Sequence, residues 1–330
     1  MANKIRWGIV GTGGIAHKFA QGLGVLKDAG LTAVSSRTKE SAEKFAAEFN
    51  VPNRHIGSDE LADDKDVDVV YIATPNPMHK DDTINCLMGG KAVLCEKPFA
   101  MNSREVMQMI TCAKEKNLFL LEAMWTYFFP GIKKVCQLVS DGAIGEVRLI
   151  QANFCLRSKW NPQGRVLNPQ LGGGALLDVG IYNIALAQII YGSEPERISS
   201  MAHIGKTGVD EQGSMIFGYE NGAMAVLTCA VQTETAFEAA IYGTDGYIKL
   251  PHMFFQPDRI IVKSGQQQEK EIKFERLGNG YSYEAAEVMR CLRDGEVECP
   301  AMPLETSIAF MKTMDRVRQQ WGLVYPMDAV

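Results

Sequence analysis

The first 120 residues alternate short apolar, β-branched runs with segments of helical periodicity. The run at 67–73 is apolar throughout, as is typical of a strand buried on both faces. Such alternation predicts a parallel, doubly wound sheet. Strands are predicted at 5–10, 31–36, 67–73, 92–95 and 118–122, and helices at 15–29, 41–49, 81–88, 106–116 and 130–140.

After about residue 145 the pattern changes to strand-like runs joined by turns. Asn221-Gly222 and Asp245-Gly246 lie between such runs and are typical of tight hairpins. This half therefore predicts a mostly antiparallel sheet, with helices on one face and a candidate dimer surface on the other. Strands are predicted at 146–156, 197–204, 213–219, 224–231, 237–242, 247–250, 259–263 and 271–274, and helices at 175–191, 283–293 and 306–321.

Composition narrows the functional classes. The 330 residues are 46% hydrophobic and 22% charged, as in soluble globular proteins of about two domains. The 34 basic and 39 acidic residues give 34 − 39 = −5, which disfavours nucleic acid as a partner. Eight cysteines without a CxxC pair fit reduced thiols in the cytoplasm. The glycine-rich run after Trp7 is no signal peptide, and the segment 175–191 is too polar and too short to span a membrane.

The run Gly11-Thr12-Gly13-Gly14-Ile15-Ala16 matches the G-x-G-x-x-A variant of the dinucleotide fingerprint. It follows a predicted strand and opens a predicted helix, which is the context that this motif requires. The first glycine permits a tight turn, the second permits close approach of a pyrophosphate, and the helix amides bind the anion. A purely structural turn between strand and helix is the alternative.

The residues after the second strand bear on the choice of cofactor. NAD-binding folds place a carboxylate there for the ribose 2′-hydroxyl, whereas this chain has Ser36, Arg37 and Thr38. An arginine beside small hydroxyl groups suits a 2′-phosphate. The sequence therefore predicts NADP in preference to NAD. In the alternative, Arg37 is solvated and Thr38 only caps the next helix.

Two further strands end in polar side chains. In doubly wound sheets the ligand lies outside the carboxyl ends of the strands, so these side chains are candidates for the cofactor crevice. Lys97 in particular could bind a substrate hydroxyl group; a surface ion pair with Glu96 is the alternative. His79 could equally be a polar surface residue. The candidates are Thr74, Asn76 and His79 after one strand, and Glu96 and Lys97 after the other.

Residues 172–182 carry three glycines followed by Asp178 and Tyr182. Positions i and i+4 share one helix face, so both side chains would point the same way. A tyrosine near a lysine ammonium ionises more readily and can act as acid or base. A core tyrosine behind a helix-start aspartate is the alternative. The five histidines show no metal-ligand spacing, and neither a GxSxG elbow nor a Walker loop is present.

Together these motifs resemble the glucose–fructose oxidoreductase/inositol dehydrogenase (Gfo/Idh/MocA) family over essentially the whole chain. The segments are GTGGIA, CEKPFAMN (95–102), EAMWTYFFP (122–130), GGGALLDVGIY (172–182) and YSYEA (281–285). Within the family the chain looks closest to the dimeric dihydrodiol dehydrogenases and the NADP-dependent D-xylose dehydrogenases. Tyr127 departs from the arginine expected in the dihydrodiol enzymes, which puts an aromatic diol substrate in doubt.

The resemblance implies a Rossmann domain (residues 1–123) followed by an α+β substrate-binding and oligomerisation domain (124–330) with a large, open, mostly antiparallel sheet. It implies that Lys97 contacts the reacting hydroxyl group, that Asp178 and Tyr182 complete the catalytic group, and that Trp125 and Phe154 wall the pocket. Many relatives have histidine in place of Tyr182, so Tyr182, His79 and Asp178 all stay candidates for the proton carrier.

The resulting hypothesis is a cytoplasmic NADP(H)-dependent oxidoreductase. It would transfer a hydride between the nicotinamide and a CH–OH or C=O group of a sugar, cyclic polyol or trans-dihydrodiol. The alternatives are a ketosugar reductase, such as one for 1,5-anhydrofructose, and a non-catalytic NADP-binding sensor. A homodimer or tetramer through the second sheet is expected, with no metal, nucleic-acid or membrane partner. The substrate and the physiological direction stay open.

Overall fold

A computed structural model describes residues 4–329 of the protein. The chain divides into two compact units. The first comprises the chain up to Trp125 together with Arg276–Ile308, and the second comprises Thr126–Glu275 and the residues from Ala309 onward. Each unit is built around one sheet.

The first unit contains a six-stranded parallel sheet in the order β3-β2-β1-β4-β5-β6. This is the doubly wound order of dinucleotide-binding folds, with its reversal between β1 and β4. Its strands are β1 (Ile5–Val10), β2 (Ala29–Ser36), β3 (Asn53–Ile56), β4 (Val69–Ile72), β5 (Ala92–Glu96) and β6 (Leu120–Ala123). Its helices are α1 (Gly14–Leu23), α2 (Lys39–Phe49), α3 (Gly57–Ala62), α4 (His79–Met88), α5 (Ser103–Lys116) and, from the later segment, α8 (Tyr281–Arg293).

Two features of this unit differ from the predicted elements. The pair β3–α3 was not predicted, because the edge strand β3 is half exposed and its sequence carries no apolar run. Helix α1 ends at Leu23 rather than near residue 29, since Gly24 caps it. The chain after Gly24 leads into β2, whose first residue, Ala29, pairs with Ile5 of β1. Strand pairing therefore overrides the helical periodicity there.

The second unit contains an eight-stranded sheet in the order β14-β13-β12-β11-β7-β10-β9-β8. The pair β7–β10 is parallel and every other pair is antiparallel, so the predicted, mostly antiparallel sheet is confirmed. Both predicted hairpins are present, between β9 and β10 and between β11 and β12. The strands are β7 (Val147–Cys155), β8 (Arg197–Ile204), β9 (Asp210–Gly218), β10 (Met224–Ala230), β11 (Ala239–Gly243), β12 (Gly246–Leu250), β13 (Arg259–Ser264) and β14 (Lys270–Lys273).

The remaining helices are α6 (Pro130–Ser140), α7 (Ile181–Tyr191) and α9 (Leu304–Trp321). Helix α7 is preceded by a π-helical turn at Leu176–Gly180, so the predicted single helix over 175–191 has two parts. The segment Pro169–Tyr191 is long and apolar enough to cross a membrane, but 83% of its most apolar stretch is buried inside the protein. It is the core helix of the second unit.

Helix α8 packs against α1 of the first unit. A Cβ atom on Gly22 of α1 would lie 2.8 Å from the Cβ atom of Tyr281, so only glycine allows this approach. The Ser282 hydroxyl group donates to the Gly22 carbonyl group at 2.9 Å, and Arg293 pairs with Asp28 at 2.6 Å. The sequence predicts a second domain that is continuous over 124–330. In the structure, the segment around α8 belongs to the first unit instead. The boundary after residue 123 stays a prediction.

Candidate active site

The glycine loop lies between β1 and α1, at the carboxyl end of the central strands. Gly11 has φ +105°, and a Cβ atom there would stand 2.7 Å from the Ala73 carbonyl oxygen. Its N–H donates to the Ser35 carbonyl group at 2.9 Å. Only glycine satisfies both the dihedral angle and the contact.

The next residues fit a dinucleotide. Gly13 is the N-cap of α1, and Cβ atoms on Gly13 and Gly14 would meet nothing within 4 Å. The exposed end of α1 can therefore receive a pyrophosphate on its amide groups. The Thr12 hydroxyl group lies 3.2 Å from that of Ser36, which ties the loop to the end of β2, and Ile15 is half-buried in the first turn of α1.

The residues predicted to select the cofactor stand in different environments. Arg37 is exposed directly after β2. Thr38 is the N-cap of α2: its Oγ1 accepts from the Ser41 amide at 3.3 Å and donates to the Ser41 hydroxyl group at 2.9 Å. Thr38 therefore caps α2, as the alternative interpretation predicted. Arg37 and Ser36 stay the candidates for binding a ribose phosphate.

Polar side chains follow β4 as predicted. The Thr74 hydroxyl group donates to Asp82 at 2.8 Å, and Asn76 is buried in a short 3₁₀ turn. The ring of His79 is fully buried, with Nδ1 2.8 Å from the carbonyl oxygen of Pro98 and Nε2 2.9 Å from that of Thr74. Burial lowers the pKa of His79. Because both ring nitrogens face backbone oxygens, His79 joins the β4 and β5 ends rather than presenting a proton to substrate.

Lys97 follows β5 and is half-buried. The preceding Glu96 is buried and accepts hydrogen bonds from the Tyr71 hydroxyl group and, at 3.1 Å, from the backbone N–H of Lys97. Burial raises the pKa of Tyr71 well above its ordinary value, so its hydroxyl group stays a donor. Glu96 therefore holds the backbone of the Lys97 turn.

Two buried acids near this turn were missed by the sequence analysis. Glu122, at the end of β6, accepts from the Phe99 amide at 3.0 Å, and burial raises its pKa to about 7. Glu284 of α8 is fully buried, and burial, followed by the charge of Glu96, raises its pKa well above the ordinary value. Glu284 belongs to the YSYEA segment, but sequence alone did not show which part of the fold this segment meets.

Trp125 and Phe154, the two predicted pocket walls, belong to different units. Trp125 is buried in the first unit, where its ring stacks on Tyr281 at 4.4 Å. Phe154 is buried in the second unit, 5.5 Å from the ring of Tyr182 and 4.5 Å from that of Phe255. The aromatic group around Tyr182 is therefore formed within the second unit.

Asp178 and Tyr182 lie on the π turn and on the first turn of α7. Asp178 is nearly buried and receives both terminal nitrogens of Arg165, at 2.8 and 3.1 Å. Tyr182 is also nearly buried, with the ring of Phe255 4.9 Å away. Arg165 was missed because it lies 13 residues before Asp178 in a loop without periodicity. Each carboxylate oxygen of Asp178 therefore accepts a hydrogen bond from Arg165.

The glycines before Asp178 make close contacts within their own unit. A Cβ atom on Gly173 would stand 2.8 Å from the Arg165 carbonyl oxygen. Gly174 has φ +122°, and a Cβ atom there would lie 2.1 Å from a carboxylate oxygen of Asp210. The other oxygen of Asp210 accepts from the Leu176 amide at 2.6 Å, and burial raises its pKa to about 7. Asp210, also missed from sequence, thus caps the helix that carries Tyr182.

Among the described residues, one group of potential metal ligands converges. Side-chain ligand atoms of Glu287, Cys291 and Cys299 lie within 4.8 Å of one another. The guanidinium group of Arg290 contacts Glu287 at 2.9 Å and the Cys291 sulfur at 3.2 Å. The guanidinium group of Arg290 therefore already places a positive charge beside these ligand atoms. The expectation that the protein has no metal site stays a prediction.

The chain is similar to known oxidoreductases over nearly its whole length. The model of the Gfo/Idh/MocA oxidoreductase family, NAD-binding Rossmann fold, matches residues 5–123, and the C-terminal domain model of this family matches residues 132–249. Trans-1,2-dihydrobenzene-1,2-diol dehydrogenase of Xenopus tropicalis is 37% identical, over 97% of this chain and 99% of the relative. The human enzyme of the same name is 35% identical, over 98% and 99%.

Solved structures of oxidoreductases are also similar to this chain. A 3-ketoreductase from Actinomadura kijaniata, in complex with NADP and TDP-benzene, is 26% identical with a TM-score of 0.87, covering 96% of this chain and 98% of its own. An aldose–aldose oxidoreductase from Caulobacter crescentus shares the fold, at 22% identity and a TM-score of 0.88 over 96% and 97%.

Proposed function

Since the chain belongs to the Gfo/Idh/MocA oxidoreductase family and is an NAD(P)-dependent oxidoreductase acting on CH–OH groups, we propose that it uses NADP(H). Its substrate would be a sugar, a cyclic polyol or a trans-dihydrodiol. The observation that carries the proposal lies in the first unit. The open glycine loop after β1 and Lys97 after β5 stand at the carboxyl ends of strands on either side of the point where strand order reverses.

In the proposed reaction the chain's own residues bind, orient and move a proton. The nicotinamide, when bound, exchanges the hydride. Gly13 and Gly14 leave room for the cofactor's pyrophosphate, and Lys97 donates a hydrogen bond to the reacting oxygen. Tyr182 takes the hydroxyl proton during oxidation and returns it during reduction.

The NADP preference rests on Arg37. It is exposed after β2 and lies beside Ser36, where NAD-binding folds usually place a carboxylate. A guanidinium group at this place favours a 2′-phosphate through charge-assisted hydrogen bonds. The Actinomadura relative was crystallised with NADP, which supports the proposal.

A substrate panel tests the function. Purified protein would be incubated with NADP⁺ or NAD⁺ and with aldoses, cyclic polyols and trans-dihydrodiols, and formation of reduced cofactor followed by near-ultraviolet absorbance. The reverse assay, with NADPH and ketosugars such as 1,5-anhydrofructose, tests the reductase alternative. Turnover in either direction supports the proposal. Tight NADP binding without turnover in any assay would favour the sensor.

Oligomeric state and location complete the proposal. The outer face of the second sheet exposes apolar side chains at Met201, Ile216 and Met224. It also carries a depression of about 360 Å³ whose lining includes Tyr242 and Ile261. Such a face suits a homodimer contact. The eight cysteines of the described chain are free thiols, six of them buried, which supports a cytoplasmic location.

A further inference from the structure

One loop of the second unit carries an unusual concentration of positive charge. The basic loop, residues 157–165, reads RSKWNPQGR and contains Arg157, Lys159 and Arg165. The chain has 39 acidic residues among 330, yet none lies between Glu146 and Asp178. In a protein with a net charge of −5, this segment is therefore a local region of opposite sign.

The basic loop is held at both ends by the frame of its own unit. At its start, the Ser158 amide donates to the Val231 carbonyl group at 3.0 Å, and Gln232 donates to the Ser158 hydroxyl group at 2.8 Å. At its end, Arg165 makes its two contacts with Asp178. Between these anchors the Gly164 amide closes a turn on the Asn161 carbonyl group at 2.9 Å. The loop is thus a compact projection that ends at the Asp178–Tyr182 helix.

The side chains of the basic loop face solvent. Trp160 is 53% exposed, whereas Trp7 and Trp125 are buried. Arg157 and Lys159 precede it in sequence and are exposed, and half of the Arg165 side chain, which follows it, remains accessible beside Asp178. An exposed indole stacks on the C–H face of a sugar ring, and neighbouring cations bind phosphate or carboxylate oxygens.

We propose that the basic loop is a subsite for a saccharide that carries an anionic group. Arg157 and Lys159 bind the phosphate or carboxylate group, and Trp160 covers the sugar ring. Arg165 fixes the loop to Asp178, next to the residue that handles the hydroxyl proton. This inference rests on the proposed function, whose substrate class it narrows from sugars, polyols and diols to anionic sugars.

Direct binding tests it without turnover. Glucose 6-phosphate, glucuronate and glucose would be titrated by calorimetry and by tryptophan fluorescence. We expect at least one anionic sugar to bind at least 10-fold more tightly than glucose. The phosphate and carboxylate arms identify which anion is preferred. Raising ionic strength from 20 to 300 mM should weaken this binding severalfold and leave glucose binding unchanged, because exposed charges are screened by salt.

Variants assign the effect to the loop. The double variant Arg157→Gln/Lys159→Gln should bind the anionic sugar no better than glucose. The matched control Lys133→Gln/Lys206→Gln, which removes two exposed cations of the same unit, should keep wild-type affinity. Trp160→Phe should abolish the fluorescence change with little loss of affinity, and Trp160→Ala should weaken binding about 3- to 10-fold, in line with the strength of aromatic contacts.

Different experimental results would contradict the anionic-sugar subsite and the proposed oxidoreductase function. If neither anionic sugar binds more tightly than glucose, or if the loop and control variants behave alike, the subsite is wrong, even when neutral sugars are oxidised. If anionic sugars bind through the loop but no substrate reduces NADP⁺ or is reduced by NADPH, the subsite stands and the oxidoreductase assignment fails.

Discussion

Arg37 directly follows the end of β2 and is exposed. We expect Arg37→Ala to weaken NADP binding about 10- to 100-fold, because a charge-assisted contact with phosphate is worth roughly 1.5–3 kcal/mol. NAD binding should change little. Calorimetric titration of both cofactors checks this.

Lys39 provides the control for Arg37, since it is exposed two positions further along the chain. Lys39→Ala should leave both affinities near wild type. Equal losses of NADP and NAD affinity in Arg37→Ala would show that the arginine acts on the adenine or on folding, and would remove the argument for NADP preference.

Tyr182 and Lys97 are predicted to act on one substrate hydroxyl group. Tyr182→Phe should lower kcat by about 10²–10⁴-fold, which is the usual contribution of general acid–base catalysis. The phenylalanine ring can keep the contacts with Phe154 and Phe255, so thermal stability and NADP affinity should be retained. Steady-state kinetics with the best substrate and a thermal melt provide both readouts.

Lys97→Ala should lower kcat at least as much as Tyr182→Phe, and the double variant should be little worse than the more impaired single variant. Groups that act as one unit are not additive. Near wild-type turnover of Tyr182→Phe would place the proton carrier elsewhere. Asp178→Asn would then be tested before His79, whose ring nitrogens both face backbone carbonyl groups.

At the scale of elements, a buried acid of strand β9 caps the helix that carries Tyr182. Asp210 at the start of β9 is fully buried and accepts from the Leu176 amide at the beginning of the π turn. Burial raises its pKa from 3.8 to about 7 in the folded protein. The folded state therefore binds this proton more tightly than the unfolded chain does.

The higher pKa of Asp210 in the folded state determines how the stability of the protein changes with pH. Below about pH 4 the group is protonated in both states, and between pH 4 and 7 only the folded state retains the proton, so stability falls as pH rises through this range. Asp210→Asn keeps an acceptor for the Leu176 amide and removes the buried charge. We expect this variant to gain stability relative to wild type as the pH is raised from 5 to 8.

Chemical denaturation at several pH values measures this gain. Glu40→Gln is the matched control, because Glu40 is an exposed acid in the first turn of α2. Its difference from wild type should not depend on pH in the same way. If Asp210→Asn is less stable than wild type by the same amount at pH 5 and pH 8, the carboxylate is stabilised by the helix amides and the argument from burial is wrong.

At the scale of the whole molecule, the exposed face of the second sheet predicts self-association. Ile216 lies on β9, is 44% exposed, and neighbours Val226 of β10 on the same face. A charged residue there would be desolvated in a dimer, so Ile216→Asp should yield monomers where wild type forms dimers or tetramers. Light scattering after size-exclusion chromatography measures the mass.

Met88 is the control for this surface, since it is 59% exposed at the end of α4 in the other unit. Met88→Asp should retain the wild-type mass. A monomeric wild-type protein at micromolar concentration, or equal masses for wild type and Ile216→Asp, would show that the sheet face does not form the contact.

Local patterns in the sequence by themselves determined most of the elements. Alternating apolar runs revealed the parallel sheet, and Asn221-Gly222 and Asp245-Gly246 revealed both hairpins, because these signals depend only on neighbouring residues. The glycine fingerprint placed the dinucleotide loop for the same reason. Lys97 and Tyr182 were found as candidates because each lies in a recognisable motif at the end of a strand or the start of a helix.

Contacts between residues distant in sequence were decided only by the tertiary structure. Arg165 binds Asp178 from a loop without periodicity, Asp210 caps a helix that begins 34 positions earlier, and α8 returns to pack on α1. Helix α1 also stops early because its next residues pair with β1. Spacing along a chain reports which face a side chain occupies, but burial and charge pairing depend on the partner that folding brings opposite it.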